Sequence, residues 1–330
     1  MKKKTNWGII GAGRISRAFA NDLKLLPDAE LIAVASKSSE SAKAFAGEYS
    51  LKYYYDSYEE FVKNPEIDVV YIGTTHNFHY ENMLLCIKHN KSILCEKPFT
   101  VNSREAREVI EAAKDKKVFV MEAMWSRFAP AYMKVRELID TGQIGKIKFL
   151  SADFGFRAPD DPEHRAFNPN LAGGSLLDVG IYPVSLAFWI FRKTPEKILT
   201  NANIGKTGVD NEATMVFCYD DGAVANLYSA VTVKTTHEAY IVGELGTIQI
   251  HAPFFNSRKV TLKLENRKEE FCFDFQGIGY RYEAEYVMKA LRGEPCDPMI
   301  MSLNESLDIM SVLDELRKEW NLVYPFEKKY

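Results

Sequence analysis

Few cysteines and a near-neutral charge are the first features of this sequence, and each excludes a class of protein. The 330 residues include five cysteines, an odd number without a C-x-x-C pair, at Cys86, Cys95, Cys218, Cys272 and Cys296. This spacing argues against a disulfide framework and a zinc knuckle and favours reduced thiols. We therefore predict a cytoplasmic location.

The net charge of the chain is also small, only −3 at pH 7. Such a chain has no basic field that would attract nucleic acid or an anionic membrane, so the predicted partner is a small molecule. Long apolar runs are lacking as well. The apolar stretch that starts at Trp7 is interrupted by glycines and ends at Arg14, which predicts no secretion signal. No window resembles a membrane span of about 18 apolar residues.

The first third of the chain contains a regular alternation of short apolar runs with helical patterns. This alternation is typical of βαβ units, and it predicts an α/β fold whose N-terminal part, residues 1–122, is a Rossmann domain with a doubly wound parallel sheet. The predicted strands are 7–10, 31–35, 52–55, 69–73, 92–95 and 118–121, with helices at 15–26, 57–63, 77–89 and 102–116.

The pattern changes after Glu122, where β-rich segments follow one predicted helix at 129–140. Strands are predicted at 147–156, 214–219, 223–231, 239–242, 247–250, 260–264 and 269–273, and helices at 280–291 and 303–320. Residues 123–330 should therefore form an α+β substrate domain on a largely antiparallel open sheet. Helices should cover one face of that sheet. A second copy of the chain would cover the other, so we expect a homodimer or a higher homo-oligomer.

A glycine-rich segment, GIIGAGRIS from Gly8 to Ser16, joins the first predicted strand to the first predicted helix. Gly11 is placed to make the tight turn, and Gly13 to admit a pyrophosphate to the helix N-terminus. The same glycines could form an ordinary capping turn. Their position at a strand-to-helix junction, followed by further βα units, favours a dinucleotide site.

The end of the second predicted strand indicates which nucleotide binds. An NAD enzyme normally carries Asp or Glu there for the ribose hydroxyls. This chain has Ser36-Lys37-Ser38 instead, without a carboxylate between Leu31 and Ser39. A lysine flanked by hydroxyls suits a 2′-phosphate, so NADP is the predicted cofactor and NAD is the alternative. A solvated surface charge is the other interpretation of Lys37.

Four motifs, in order along the chain, resemble those of a known family. They are the Gly11/Gly13 loop, Thr74-Thr-His-Asn-Phe-His79 after the fourth strand, Glu96-Lys97-Pro98 after the fifth, and Gly173-Gly-Ser-Leu-Leu-Asp178-Val-Gly-Ile-Tyr182-Pro183. Over essentially its whole length the chain resembles the glucose-fructose oxidoreductase, inositol dehydrogenase and MocA family. Residues 122–128 and 165–182 are most similar to its branch of dimeric dihydrodiol dehydrogenases and NADP xylose dehydrogenases.

The resemblance implies that Lys97, Asp178 and Tyr182 are catalytic. Lys97 follows an apolar strand at the carboxyl edge of the sheet, where doubly wound folds bind ligands, although a lysine there could also extend into solvent. Asp178 and Tyr182 are four residues apart, so a helix would present both on one face. Taken alone, they are better explained as an ordinary surface aspartate and a core tyrosine. Many family members have histidine where this chain has Tyr182.

A tyrosine base needs help, because its free pKa of about 10 prevents efficient proton exchange near neutral pH. The resemblance implies that Lys97 supplies the necessary cation and hydrogen-bonds the substrate oxygen. In this scheme Tyr182 takes the alcohol proton and Asp178 orients the pair.

The residue patterns and the resemblance together give the expected contacts with cofactor and substrate. Cofactor contacts are expected at Gly11, Gly13, Arg14, Ile15, Ser36, Lys37, Thr74, Asn77, His79, Glu96 and Lys97. Trp125, Phe154 and Arg165 are the candidates for the substrate pocket. The aromatic rings would suit the apolar face of a sugar or diol ring, although each residue could be plain core. His76 and His79 have no carboxylate or cysteine nearby in the sequence, so no metal is expected.

The leading interpretation is an NADP-dependent dehydrogenase or reductase that acts on a hydroxyl or carbonyl carbon of a sugar, cyclic polyol or trans-dihydrodiol. One alternative is a redox-assisted glycosidase or lyase of the same superfamily, which keeps its nicotinamide tightly bound. Another is a non-catalytic sugar or nucleotide sensor. The intact set of Lys97, Asp178 and Tyr182 argues against the sensor.

Overall fold

The computed structural model describes residues 4–329, and backbone contacts divide the chain into two compact units. The first unit contains the residues up to Trp125 together with Phe275–Leu307. The second contains Ser126–Asp274 and the residues from Asp308 onward. The predicted division at residue 122 does not include this return of residues 275–307 to the first unit.

Strands and helices alternate up to residue 123, and strands predominate between residues 147 and 272. The strands are β1 (Thr5–Ile10), β2 (Ala29–Ala35), β3 (Tyr53–Tyr55), β4 (Val69–Ile72), β5 (Ser92–Glu96), β6 (Val120–Ala123), β7 (Ile147–Gly155), β8 (Lys197–Ile204), β9 (Asp210–Cys218), β10 (Val224–Ala230), β11 (Ala239–Gly243), β12 (Gly246–Ile250), β13 (Lys259–Leu264) and β14 (Lys268–Cys272). The α-helices are α1 (Arg14–Leu23), α2 (Ser39–Tyr49), α3 (Tyr58–Val62), α4 (His79–Lys88), α5 (Ser103–Lys116), α6 (Pro130–Asp140), α7 (Ile181–Phe191), α8 (Tyr280–Leu291) and α9 (Leu303–Glu319). Every strand predicted from the sequence is present.

The first unit is built on a six-stranded parallel sheet in the order β3-β2-β1-β4-β5-β6. This is the strand order of a Rossmann sheet, with its switch point between β1 and β4, so the predicted doubly wound α/β fold is confirmed. All four residues of β4 are buried, as a strand covered by helices on both faces requires. The carboxyl ends of β1, β4 and β5 meet at one edge of the sheet.

Side-chain hydrogen bonds determine where three helices of this unit begin. Ser38, Ser57 and Asn102 precede α2, α3 and α5, and each side chain accepts a hydrogen bond from the backbone N–H three residues later. Each such cap satisfies a donor that would lack a helical partner and contributes about 1 kcal/mol. Local sequence is therefore sufficient to start these helices.

Helix α8 belongs to the first unit, although the sequence pattern predicts it in the second domain. It packs against α1, and the carboxylate of Asp22 on α1 accepts hydrogen bonds from the backbone N–H groups of Ile278 and Gly279. Gly277 has a φ of +79°, and a Cβ there would lie 2.3 Å from Asp22 Oδ1. These partners are 256 positions or more apart, so no local pattern reveals the contact.

The second unit is built on an eight-stranded sheet in the order β14-β13-β12-β11-β7-β10-β9-β8. Every neighbouring pair is antiparallel except β7 with β10, which confirms the predicted largely antiparallel open sheet. Strand β8 was not predicted. Four of the eight residues in its sequence, KILTNANI, are polar and none is buried, as is typical of an edge strand.

Helix α7 forms the core of the second unit. Its residues from Ile181 to Ile190 are all buried, and it packs against β7 and β10. By length and composition the segment Pro169–Phe191 could cross a membrane, but 94% of its most apolar window is buried inside the protein. The hydropathy of this segment therefore contradicts the expectation that no window resembles a membrane span. Its apolar composition is that of a core helix, because a helix surrounded by protein is apolar on every side.

One face of the second sheet is exposed in the described chain. The pairing registers place Phe149, Leu199 and Tyr240 on this face, with exposed fractions of 37%, 50% and 38%. The alternate residues Leu150 and Ala152 are buried on the other side. We call the exposed surface that contains Phe149, Leu199 and Tyr240 the open sheet face.

Candidate active site

The glycine loop after β1 has a shape that fits a dinucleotide pyrophosphate. Gly11 has a φ of +97°, and a Cβ there would lie 2.8 Å from the carbonyl oxygen of Gly73, so only glycine is accommodated. At Gly13 the nearest protein atom to an added Cβ is 4.0 Å away, so the surrounding protein does not require glycine. The open space lies at the N-terminus of α1, where unpaired N–H groups favour an anion.

The segment at the end of β2 leaves Lys37 exposed. Its Nζ lies 4.0 Å from the centre of the Phe78 ring, a cation–π contact. The Ser36 hydroxyl accepts a hydrogen bond from the backbone N–H of Ser38, and the Ser38 hydroxyl caps α2. Lys37 therefore has an ammonium group available at the carboxyl edge of the sheet.

Arg14 and Ile15, at the start of α1, are exposed and half-buried respectively.

The segment after β4 is tied to the segment after β5 by one histidine. His79 is fully buried, with Nδ1 2.8 Å from the carbonyl oxygen of Pro98 and Nε2 3.2 Å from that of Thr74. Burial lowers the pKa of His79 to about 4, so the ring is neutral near pH 7 and donates one hydrogen bond. Asn77 lies in the same segment, where its side-chain oxygen accepts a hydrogen bond from Thr75. Within residues 4–329 there is no cluster of three metal-ligating side chains.

Lys97 follows β5 at this edge and is half-buried. Its neighbour Glu96 is buried, and the Glu96 carboxylate accepts hydrogen bonds from the Tyr71 hydroxyl at 2.5 Å and from the Lys97 backbone N–H at 3.3 Å. Burial is the main cause that raises the pKa of Glu96. The Lys97–Pro98 peptide bond is cis. The backbone at Lys97 is thus held from both sides.

Trp125 also lies in the first unit and is 4% exposed. Its ring centre is 4.7 Å from that of Tyr280, at the start of α8. Phe154 and Arg165, the other candidates for a substrate pocket, lie in the second unit. Tyr280 was not among the residues identified from the sequence, because its position beside Trp125 depends on the return of residues 275–307 to the first unit.

In the second unit, Asp178 and Tyr182 lie on one continuous helical segment. Leu176–Gly180 forms a turn of π-helix that leads directly into α7, and both side chains are buried. Single π-turns are rare and occur frequently at functional sites. The Asp178 carboxylate pairs with the Arg165 guanidinium, with 3.0 Å between Oδ2 and Nη1. Arg165, predicted only as a pocket residue, therefore also pairs with the buried charge of Asp178.

Aromatic rings surround Tyr182 in the same unit. The ring of Tyr182 lies 5.4 Å from each of Phe154 and Phe255, and these two phenylalanines stack in parallel at 4.1 Å. The ring of His237 lies 4.9 Å from that of Phe154. We call Phe154, Tyr182, His237 and Phe255 the aromatic cluster. Phe255 lies in a three-residue 3₁₀ turn, Phe254–Asn256, and His237 lies in a loop. Both were missed because no periodic pattern there indicates which way a side chain points.

The two units contain features that are typical of one class of enzyme. A Rossmann unit with an open pyrophosphate loop and a unit with a buried tyrosine and an ion-paired aspartate are the components of a pyridine-nucleotide-dependent dehydrogenase or reductase. Sequence models place the chain more narrowly. Residues 5–124 match the oxidoreductase family with an NAD-binding Rossmann fold named GFO/IDH/MocA, and residues 132–249 match the GFO/IDH/MocA C-terminal domain. The chain belongs to this oxidoreductase family, and the predicted resemblance is confirmed.

Relatives within the family share the full length of the chain. The trans-1,2-dihydrobenzene-1,2-diol dehydrogenase of Xenopus tropicalis is 36% identical over 330 residues, which cover 97% of this chain and 99% of the relative. The human protein of the same name is 34% identical over 333 residues, 98% of this chain and 99% of its own.

Solved structures with lower sequence identity share the fold. An aldose-aldose oxidoreductase from Caulobacter crescentus, complexed with glycerol, has a TM-score of 0.87 at 21% identity and covers 96% of this chain and 97% of its own. A 3-ketoreductase from Actinomadura kijaniata, in complex with NADP and TDP-benzene, has a TM-score of 0.85 at 21% identity and covers 96% and 98%.

Proposed function

We propose that this protein is an NADP-dependent dehydrogenase that transfers a hydride between the nicotinamide and a CH–OH carbon of a trans-dihydrodiol, a cyclic polyol or a sugar. The observation that carries the proposal is the buried Tyr182 phenol within the aromatic cluster, on the helix that also bears Asp178. A proton-transfer group among aromatic rings suits a hydroxyl on a ring with an apolar face.

Each of the three catalytic candidates has a separate role in this proposal. When bound, NADP supplies the hydride acceptor for oxidation. Tyr182 takes the proton of the substrate hydroxyl, and Lys97 donates a hydrogen bond to the same oxygen and favours the phenolate. Asp178, paired with Arg165, orients the acid–base group. The names of the full-length relatives favour a trans-dihydrodiol among the three substrate classes.

The test is an initial-rate assay of nicotinamide absorbance with trans-dihydrodiols, inositols and aldoses, supplied separately with NADP and NAD. We expect turnover of one class with NADP, and a loss of about 10²- to 10⁴-fold in Tyr182→Phe, which deletes only the phenolic oxygen. Tyr240→Phe, on the open sheet face, is the matched control and should retain full activity.

Two other outcomes would replace the proposal. Nucleotide that copurifies with the protein, together with bond cleavage in a glycoside but no net reduction, would indicate a redox-assisted glycosidase or lyase. Nucleotide binding without turnover of any class would indicate a sensor.

Lys37 is proposed as the ligand of the NADP 2′-phosphate. A charge-assisted hydrogen bond contributes about 1.5–3 kcal/mol, so Lys37→Ala should weaken NADP binding about 10- to 100-fold and leave NAD binding unchanged. Titration calorimetry with both nucleotides measures this difference. Lys43→Ala, an exposed lysine on α2, is the control. If wild-type protein binds NAD and NADP equally well, the role of Lys37 is refuted.

We also propose that a second copy of the chain covers the open sheet face. Exposed Phe149, Leu199 and Tyr240 support this, because apolar side chains on a sheet are normally covered. Light scattering at micromolar concentration should give twice the chain mass. Leu199→Lys should give the monomer, whereas Leu245→Lys, in the turn between β11 and β12, should not. A monomeric wild-type mass contradicts the dimer.

A further inference from the structure

The helical segment that bears Asp178 and Tyr182 is held at its start by a buried aspartate on another element. Asp210, the first residue of β9, is fully buried. Its Oδ2 accepts hydrogen bonds from the backbone N–H of Leu176 at 2.6 Å and from the Ser175 hydroxyl at 2.7 Å. Leu176 is the first residue of the π-turn that contains Asp178, so the carboxylate lies at the N-terminus of this segment.

The chain immediately before the helix is shaped around the same carboxylate. Gly174 has a φ of +116°, and a Cβ there would lie 2.1 Å from Asp210 Oδ1. The carbonyl oxygen of Gly173 accepts a hydrogen bond of 2.7 Å from the buried Tyr324 hydroxyl. Gly174 thus allows the backbone to pass beside the Asp210 carboxylate. A Cβ on Gly173 would instead lie 2.8 Å from the carbonyl oxygen of Arg165 and 2.9 Å from that of Asn168.

A second strand, β10, supports the other side of this arrangement. The hydroxyls of Ser175 and Ser229, on β10, are 2.9 Å apart. A Cβ on Gly180 would lie 2.9 Å from the Ser229 hydroxyl oxygen, so the π-turn lies close against β10. Both ends of the π-turn are therefore in contact with the network around Asp210.

A carboxylate in this place is costly, which indicates a role beyond packing. Burial raises the pKa of Asp210 to about 6, because removal from water disfavours the charged form. At neutral pH the group is still largely ionised, and the donors from Ser175 and Leu176 then compensate its charge. A negative charge at a helix N-terminus also interacts favourably with the helix dipole.

We infer that Asp210 is a positioning residue for catalysis, which sets the position of the π-turn and α7 and thereby of the Asp178 carboxylate and the Tyr182 phenol. This inference rests on the proposed roles of Asp178 and Tyr182. It assigns to Asp210 no contact with substrate or cofactor.

The test substitution is Asp210→Asn, which keeps the shape of the side chain and removes its charge. We expect kcat to fall about 10²-fold, as for a small displacement of a reacting group, with the KM for NADP unchanged. Hydrogen exchange of the amides at 176–182 should become faster, with exchange in β11–β14 unchanged. Asp68→Asn is the matched control, since Asp68 also accepts a backbone N–H, from Asn6, but at the opposite edge of the first sheet.

If Asp210→Asn fails to fold, Ser175→Ala removes one of the two hydrogen bonds and should change both measurements in the same direction by a smaller factor. Wild-type kcat with unchanged exchange at 176–182 overturns the inference. So does faster exchange spread over the whole second unit, since that pattern means general destabilisation. If wild-type protein turns over no substrate, the proposed function fails, and hydrogen exchange alone then decides the role of Asp210.

Discussion

Replacement of Lys97 by methionine should lower turnover by about 10³-fold while NADP still binds. Methionine has nearly the length of lysine but cannot donate a hydrogen bond or carry a charge. The backbone at Lys97 is held by the Glu96 carboxylate, and His79 contacts the next residue, Pro98. These contacts do not use the lysine ammonium, so the segment should keep its shape.

The measurement is kcat on the best substrate, together with NADP affinity by calorimetry. Lys88→Met is the control, because Lys88 lies on α4 of the same unit with 70% of its side chain exposed. Turnover within a few-fold of wild type would remove Lys97 from the catalytic set. Loss of NADP binding in equal measure would indicate a cofactor ligand and not a catalytic lysine.

Replacement of Gly174 by alanine should have the largest effect on stability. The residue has a φ of +116°, which L side chains rarely adopt, and the new Cβ would collide with the buried Asp210 carboxylate at 2.1 Å. Backbone strain and overpacking in a core each cost on the order of 1–3 kcal/mol, so the sum should be about 3 kcal/mol or more.

Gly222→Ala separates these two causes. Gly222 has a φ of +82°, but among the described residues no atom beyond its chain neighbours lies within 4 Å of an added Cβ, so only backbone strain remains. In urea unfolding followed by tryptophan fluorescence, Gly174→Ala should lower the midpoint well below that of Gly222→Ala. Equal midpoints would mean that the Asp210 side chain can move aside without loss of stability, and that the tight fit at Gly174 is unimportant.

Periodic patterns account for most of the fold. The six strands of the Rossmann sheet were predictable because each is a short apolar run between helices that carry their own caps, such as Ser57 before α3. Strand β8 was not, because an edge strand with one solvated face has no apolar pattern. The assignment of α8 failed for a different reason. Its sequence shows a helix, but only the Asp22 contact shows which unit it joins.

The site shows the same division. Gly11 could be selected from its place at a strand-to-helix junction, and Lys97, Asp178 and Tyr182 from the resemblance of their motifs to those of the family. The pairing of Arg165 with Asp178 could not, because the two residues are thirteen positions apart across an irregular segment. Phe255 and His237 could not be selected either, because neither lies in a segment with a periodic pattern.

The fold class, the dinucleotide loop and the resemblance to the family can be obtained from the sequence, because they depend on local periodicity and on short motifs of fixed spacing. The side chains that surround Tyr182, the contact of Asp210 with its helix, and the return of residues 275–307 to the first unit are visible only in the folded chain. These features depend on contacts between residues far apart in the chain. Such contacts form only after the elements pack, and no local pattern of residues records them.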